Sequence, residues 1–148
     1  MLTKINKKRD LIDIVPHTAS KPEKIFGVIL ELNKVDFLYK CPVDIGGSKK
    51  IFDFKIADTL VEVHDSQHYL RGKTEDDRLM YWRRRLSSTV KRHYCNRNDI
   101  ELIEVDARWG TCNCIMTSLK ETSLSYLVEN ITNKEIESRL IEVYELYL

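Results

Sequence analysis

Asp53, Glu62 and His64 are the residues of this chain whose types and spacing could do chemistry. They lie in the segment Ile51–Tyr69, where apolar and polar residues alternate as they do in two short β-strands. If Ala57-Asp58 forms a two-residue turn, Asp53 lies directly opposite Glu62. A turn one residue later would instead set Asp53 against His64. Either register brings two carboxylates and an imidazole together beside an apolar layer.

The same alternation assigns side chains to the two faces of these strands. The apolar face is expected to carry Phe52, Phe54, Ile56, Val61 and Val63. The opposite face is expected to carry Asp53, Lys55, Glu62 and His64. Like charges directly across a ladder are destabilising, so a bound cation is the natural resolution. The pattern favours metal-assisted chemistry, with Asp53 and Glu62 as the metal ligands.

The distribution of charge points to a polyanionic partner. The chain has a net charge of +1, but residues 70–98 carry nine basic and three acidic side chains, whereas residues 99–148 carry four basic and ten acidic ones. The basic block directly follows the carboxylate strands. A phosphodiester beside the metal site would explain this placement, and the alternative is a solvated helix face. In phosphodiester hydrolysis a hard cation would neutralise developing charge, and His64 would act as general base or general acid.

Length and composition describe one ordinary globular domain. The chain has 148 residues, of which 43% are hydrophobic and 32% charged. No apolar run approaches the ~20 residues that span a bilayer, and the lysine-rich start lacks a signal-peptide core. We therefore expect a cytoplasmic protein without a membrane partner.

The four cysteines are expected to be reduced thiols rather than zinc ligands. A structural Zn²⁺ site would have to combine Cys112 and Cys114 with Cys95 and His93. Because Cys-x-Cys is not the usual zinc knuckle spacing, we expect no such site.

The order of elements predicts a mixed α/β fold. Residues 1–17 are expected to form a weakly structured arm, and residues 18–148 a single domain. We predict helices at about 21–34 and 74–96, strands at about 37–41, 50–57, 60–65 and 100–105, and two C-terminal helices, the last from about residue 134. The result is a mixed sheet of about four strands flanked by helices, with an antiparallel meander and a crossover.

Two tryptophans receive different predictions. On the long helix, Leu79, Trp82, Leu86 and Val90 recur at spacings of three and four, which predicts a buried stripe. Trp109 follows the last predicted strand, and both a position at the rim of the core and a stacking role on DNA remain open.

Several short motifs together resemble the PD-(D/E)XK nuclease superfamily, and within it the very-short-patch-repair-like endonucleases. The motifs are Ser20-Lys21-Pro22-Glu23, Phe52-Asp53-Phe54, the run from Val61 to Tyr69, Tyr94-Cys95-Asn96 and Leu102-Ile103. The resemblance covers residues 18–106 and leaves residues 107–148 as a C-terminal helical extension. Two positions depart from the pattern, because His64 stands where the superfamily has lysine and Asp65 where a glycine is usual.

The resemblance implies a restriction-endonuclease-like core of order αβββαβ and a metal-dependent DNA endonuclease. It implies Mg²⁺ as cofactor, with Mn²⁺ as a substitute, and adds Glu23 and His68 to the catalytic residues Asp53, Glu62 and His64. Lys55 could supply the cation that His64 replaces. The residues expected to contact DNA are Lys55, Arg71, Lys73, Arg83, Arg84, Arg85, Lys91 and Arg92. Because helix positions rotate by about 100°, at most two of the three consecutive arginines can face one DNA backbone.

A single site per chain makes nicking the simplest product, so double-strand cleavage would require a homodimer or two successive nicks. The phage and bacterial members of the group imply a phage-encoded protein in a bacterial host. The departures at His64 and Asp65 support an alternative, a catalytically inactive nuclease fold that serves as a DNA-binding or assembly module. A protein-interaction domain, and a nuclease for RNA or branched DNA, are further alternatives.

Overall fold

The protein is an α/β protein with a four-stranded mixed sheet flanked by helices, as the sequence predicts. The structure is a computed structural model and describes residues 10–148. Its helices are α1 (Leu11–Ile14), α2 (Lys21–Leu32), α3 (Glu75–Arg97), α4 (Cys112–Lys120) and α5 (Asn133–Tyr144). Its strands are β1 (Leu38–Ile45), β2 (Ser48–Ile56), β3 (Thr59–His64) and β4 (Leu102–Asp106), and short 3-10 helices span Ser66–His68 and Ser125–Val128.

The sheet has the strand order β1-β2-β3-β4. The β1–β2 and β2–β3 pairs are antiparallel, and α3 crosses over to place β4 parallel to β3. Ile56 pairs with Thr59, so Ala57-Asp58 is the connecting turn, and Ala57 takes the left-handed conformation that such a turn requires (φ 51°). The two-residue turn is confirmed, and with it the register that places Asp53 level with Glu62.

The main hydrophobic core lies between one face of the sheet and helices α1, α2, α4 and α5. Phe54, Ile56, Val61 and Val63 belong to it, as the alternation predicts. The C-terminal segment is part of this core rather than an appendage, because it contributes fully buried side chains, among them Ile115, Leu119, Ile136 and Leu140.

Phe52 lies on the other side of the sheet, contrary to the sequence prediction. It packs with Cys41, Leu60 and Cys95 in a second, smaller cluster under α3. The reason lies in the neighbouring strand, where Lys40 has a left-handed backbone conformation (φ 58°). Tyr39, before Lys40, packs against the main core, and Cys41, after it, joins the second cluster, so the usual alternation is broken at this level of the sheet.

The predicted buried stripe of α3 is wrong. Its buried residues are Tyr81, Ser88 and Cys95, spaced by seven, whereas Leu79, Trp82 and Leu86 are 49%, 56% and 66% exposed. The sheet face beneath α3 carries carboxylates and an imidazole, so the helix turns basic side chains towards it. The apolar stripe consequently faces away from the sheet.

The prediction of a weakly structured N-terminal arm is wrong for the part that the structure describes. Leu11 and Val15 are fully buried in the main core, and the hydroxyl of Tyr144 donates a hydrogen bond to the carbonyl of Val15 (2.7 Å). Residues 1–9 of the predicted arm lie outside the described residues. Among the described helices, none has the length and apolar composition needed to cross a membrane.

The unequal burial of Phe54 and Trp82 predicts unequal losses of stability when each is replaced by alanine. Phe54 is fully buried and contacts the rings of Phe26, Phe37 and Tyr39, whereas Trp82 is mostly exposed. We expect Phe54→Ala to lower the free energy of unfolding by about 3–5 kcal/mol and Trp82→Ala to change it by about 0.5 kcal/mol or less. Urea unfolding at low protein concentration measures both. A large loss in Trp82→Ala would contradict the placement of α3.

Candidate active site

The site is built on a gap between β2 and β3. The backbone ladder ends at the pair Phe54–Val61, although the register continues to Asp53 and Glu62. In its place, the Asp53 amide donates to Glu62 Oε2 (3.0 Å) and the Val63 amide donates to Asp53 Oδ2 (2.8 Å). Each carboxylate therefore replaces a backbone carbonyl of the missing ladder, which fixes both side chains in the sheet.

The second oxygen of each carboxylate contacts a lysine. Lys40 Nζ lies 3.0 Å from Asp53 Oδ1 and 2.6 Å from Glu23 Oε2, so it bridges a strand and helix α2. Lys91 Nζ lies 2.5 Å from Glu62 Oε1 and also donates to the carbonyl of Ile51 (2.7 Å). The two lysines come from different elements, β1 and α3, and both converge on the gap.

Glu23 both caps helix α2 and takes part in the site. It completes the capping box of α2, with its Oε1 accepting from the Ser20 amide (3.2 Å). The same carboxylate accepts hydrogen bonds from the Tyr39 hydroxyl (2.9 Å) and from Lys40 (2.6 Å). Because the cap points its carboxylate inwards, the N-terminus of α2 is tied to the site.

The backbone conformation of Lys40 accompanies this bridge. A non-glycine residue at φ 58° within a strand is strained by about 1–3 kcal/mol and persists only where its surroundings compensate. The compensation here is visible, since the ammonium reaches Glu23 and Asp53 at once. Strain of this kind concentrates at functional sites.

Burial and proximity drive the pKa values of the two central carboxylates apart. Burial and the neighbouring Asp53 charge raise the pKa of Glu62 to about 7, against the opposing effect of Lys91. Burial also acts to raise the pKa of Asp53, but the Lys40 charge and the hydrogen bond from the Val63 amide outweigh it and lower that pKa. The pair therefore holds one firmly ionised carboxylate beside a second whose charge is opposed by its surroundings.

A second cluster adjoins the carboxylates and is centred on His64, two residues along β3 from Glu62. His64 Nε2 lies 2.8 Å from Glu104 Oε1, and Arg92 forms two hydrogen bonds of 2.8 Å to the same carboxylate. Burial would raise the pKa of Glu104, but the hydrogen bonds from His64 and Arg92 lower it to about 2. An ionised Glu104 can only accept, so Nε2 carries a proton, and in the neutral form of the ring the lone pair is on Nδ1. Within residues 10–148, Nδ1 is the one buried side-chain N or O atom that lacks a hydrogen-bond partner.

His68 lies beside His64, with ring centroids 4.0 Å apart. It ends the short helix Ser66–His68, whose N-cap is Asp65, with Asp65 Oδ1 accepting from the Gln67 amide (3.0 Å). Burial and the neighbouring His64 lower the pKa of His68 to about 4, so its ring is neutral near pH 7. Both histidines line a pocket of about 180 Å³ together with Tyr69, Arg85, Ser88, Arg92 and Glu104.

The residues expected to contact DNA differ in their surroundings. Lys91 forms an ion pair with Glu62, and Arg92 forms one with Glu104. Arg85 lines the histidine pocket and donates a hydrogen bond to the Tyr81 hydroxyl (2.9 Å). Arg84 lines a different pocket, together with the loop from Ser66 to Gly72. By helical rotation Arg83 faces away from both pockets, in keeping with the limit of two arginines on one side. Arg71 stacks over Trp82 at 5.4 Å, and Lys73 is exposed.

Lys55 does not contact the carboxylates, contrary to the hypothesis that it supplies the cation. Its side chain lines a groove with Cys41, Asp58 and Leu60. The ammonium groups beside the carboxylates belong to Lys40 and Lys91 instead of Lys55. Trp109 is 76% exposed, which excludes the rim of the core.

The candidate zinc ligands do not converge. Cys95 is buried in the second cluster under α3, Cys112 is buried in the main core, and Cys114 Sγ contacts the carbonyl of Asp106 (3.2 Å). All four cysteines are free thiols.

Sequence reasoning missed Lys40, Tyr39 and Glu104. No local signal identifies Lys40, because a left-handed lysine inside a strand follows from no propensity. Glu104 could have been found, since β4 lies parallel to β3 and the pairs Glu62–Glu104 and His64–Asp106 place acidic residues beside the site.

The donor chemistry of Asp53 and Glu62 fits a hard divalent cation. Carboxylate oxygens are the ligands that Mg²⁺ prefers, and Mg²⁺ usually takes only one or two protein carboxylates and completes its shell with water and phosphate. Within residues 10–148 no three His, Cys, Asp or Glu side chains are grouped as a complete metal cage. Asp53 Oδ1 and Glu62 Oε1 are the oxygens that do not bind a backbone amide, and each contacts a lysine that would have to share it with a cation.

Comparisons with protein-family models, curated proteins and solved structures find no match for this chain. The fold and the site define an α/β protein with a carboxylate pair in its central strands, of which Glu62 is buried and Asp53 partly buried, and each carboxylate contacts a lysine.

The raised pKa of Glu62 predicts a pH-dependent effect of Glu62→Gln. The folded protein binds this proton more tightly than the unfolded chain, so the parent loses stability as pH rises from about 4.5 to about 7. The Glu62→Gln variant has no carboxyl group to titrate at this position, so it does not lose this stability as pH rises. We expect the free energy of unfolding of the variant, relative to the parent, to rise over this window by at most about 1.4 kcal/mol per pH unit. Urea unfolding in EDTA between about pH 5 and pH 8 tests this, and a pH-independent difference would contradict it.

Proposed function

We propose that this protein is a metal-dependent DNA endonuclease with a restriction-endonuclease-like core. One observation carries the proposal: the backbone of each strand holds the carboxylate of the other, which keeps the buried Glu62 beside the partly buried Asp53 and raises the pKa of Glu62 to about 7. Stability alone does not favour such an arrangement, because buried like charges are destabilising. Perturbed carboxylates in a fixed geometry are typical of catalytic sites.

The residues around the pair supply the remaining requirements of phosphodiester hydrolysis. When bound at Asp53 and Glu62, Mg²⁺ would supply charge neutralisation at the phosphate and activation of the attacking water. Glu104 and Arg92 hold the His64 ring, so that Nδ1 can accept a proton from the nucleophile or return one to the leaving oxygen. His68, Arg85 and Arg92 line the adjoining pocket and provide donors for phosphate oxygens.

Lys40 is the cationic group of this site on the side of Asp53. It holds the Asp53 and Glu23 carboxylates in one cluster and keeps Asp53 ionised. Its ammonium is placed to stabilise charge that develops on a phosphate beside Asp53. It takes the role for which the superfamily pattern uses the lysine two positions after the glutamate, where this chain has His64.

A second candidate function is a catalytically inactive nuclease fold that binds DNA or assembles with a partner. The specific observation in its favour is that Lys40 and Lys91 already contact one oxygen of each carboxylate. The charge of the pair is thereby offset without a metal ion. In the active enzyme the lysines would instead share these oxygens with the cation.

The two candidates differ in one experiment. The substrate is a supercoiled plasmid that carries a mismatch, a cruciform and random sequence, incubated with Mg²⁺, Mn²⁺ or EDTA. We expect the parent to convert it to open circles with either metal and not in EDTA, and Asp53→Asn and Glu62→Gln to be slower by about a hundredfold or more. These variants retain an acceptor oxygen for the backbone amides. Asp44→Asn, an exposed aspartate of β1, is the matched control and should retain the parent rate.

Absence of product with every metal, together with a gel shift that weakens as salt rises, would establish the inactive DNA-binding module instead. Near-native turnover in either carboxylate variant at saturating Mg²⁺ would exclude the proposed metal ligands.

His64 and Glu104 should be separable by their effects. We expect His64→Gln to lower the cleavage rate by about 10²-fold or more without changing the affinity for DNA, because a general acid–base group is lost. Glu104→Gln removes only the group that positions the ring, so its loss should be smaller and its pH–rate profile should shift. Single-turnover cleavage over a pH series measures both, and equal rates in parent and His64→Gln would exclude the role of His64.

A further inference from the structure

The outward side of α3 carries an apolar line with charged ends. Seven positions follow one another at spacings of four, three, four, four, three and four: Glu75, Leu79, Trp82, Leu86, Val90, His93 and Arg97. At about 100° per residue these side chains fall within one stripe along a helix about 34 Å long. The stripe lies opposite Tyr81, Ser88 and Cys95, which face the sheet.

The middle of this stripe is largely open within residues 10–148, although the Arg71 guanidinium lies over the Trp82 ring (5.4 Å) and the turn after Ile45 lies beside Val90. Leu79, Trp82 and Leu86 are each about half exposed or more, and together they form an apolar surface of the kind that marks a contact site. Glu75 and Arg97, at its two ends, make no ion pair within the same residues. A polar residue at Leu86 would be expected if the helix simply faced water.

The stripe is self-complementary. Its spacings read the same in both directions from Leu86, so an antiparallel copy with Leu86 on the two-fold axis matches it position by position. Trp82 then meets Val90 of the second copy, and Leu79 meets its His93. Glu75 at the acidic end meets Arg97 at the basic end, and the symmetry makes this ion pair twice.

The surface around Val90 has the shape that this register requires. Val90 and His93 line a pocket of about 520 Å³, which lies between α3 and the turn that follows Ile45. The large indole of Trp82 would therefore lie over a concavity beside a small side chain. Large-against-small packing across a helix pair is the ordinary means of bringing two helices close together.

We propose that the protein forms a homodimer through antiparallel packing of α3 against α3 of a second copy. The seven positions of the stripe carry one acid and one base, at opposite ends, so the stripe itself matches a second copy better than a polyanion, and Arg71 over Trp82 adds one cation beside it. The contact is one helix wide, which places it at the small end of specific interfaces and predicts a dissociation constant of about micromolar order. The dimer does not depend on the proposed reaction.

Sedimentation of the full chain, from about 1 to about 200 µM and without DNA, tests the proposal. We expect a concentration-dependent change from monomer to dimer. Leu86→Glu sets two carboxylates against each other on the axis and should weaken association by about a hundredfold or more, with unchanged circular dichroism because Leu86 is exposed. Ile141→Glu, an exposed position on α5, is the matched control and should dimerise as the parent does.

Charge exchange tests the direction of the helices. Glu75→Arg and Arg97→Glu should each weaken the dimer by about three- to tenfold, and the double exchange should restore it. In a parallel pair the like residues would already face each other, so single exchanges would not weaken it and no restoration would follow. A monomer at every concentration, an unaffected Leu86→Glu variant, or a double exchange without restoration would each overturn the proposal.

Discussion

The structure depends on an exchange of hydrogen bonds in the middle of its sheet. Between β2 and β3 the backbone ladder ends, and the Asp53 and Glu62 carboxylates accept the amide hydrogens that it would have used. The exchange holds a buried glutamate and a partly buried aspartate side by side at the level of the strands. Two lysines, from β1 and α3, then have to reach the same point.

The need to neutralise Asp53 and Glu62 affects the elements on both sides of these strands, β1 and α3. Lys40 accepts a strained backbone conformation to reach Asp53 and Glu23, and the strain breaks the alternation of β1 at that level. On the opposite face, α3 turns Lys91 and Arg92 towards Glu62 and Glu104. Only one side of a helix can pack against a sheet. In α3 that side includes Lys91 and Arg92, so the apolar stripe on the opposite side faces outwards. The outward stripe, and the self-association that we infer from it, therefore follow from the charge chemistry of the site.

Local sequence predicted the main helices and strands and the carboxylate pair, and it offered the two-residue turn as one of two alternatives. These depend on short-range rules: alternation sets the strands, the turn length sets the register, and the Ser20–Glu23 capping box sets the start of α2. The endonuclease function remains a proposal that rests on residue chemistry and on the resemblance. The same rules went wrong for α3, because a helical apolar stripe identifies a face that avoids water without identifying what covers it.

The sequence by itself determined that Asp53 lies near Glu62 and His64 across the β2–β3 turn, since both turn lengths that it left open bring these residues together. It also determined that Glu62 and His64 share a side of β3. Only the tertiary structure decided that the ladder opens at Asp53, that Lys40 rather than Lys55 neutralises it, and that Glu104 orients His64. These contacts join residues 9 to 40 positions apart, and their geometry follows from how separate elements pack rather than from any local periodicity.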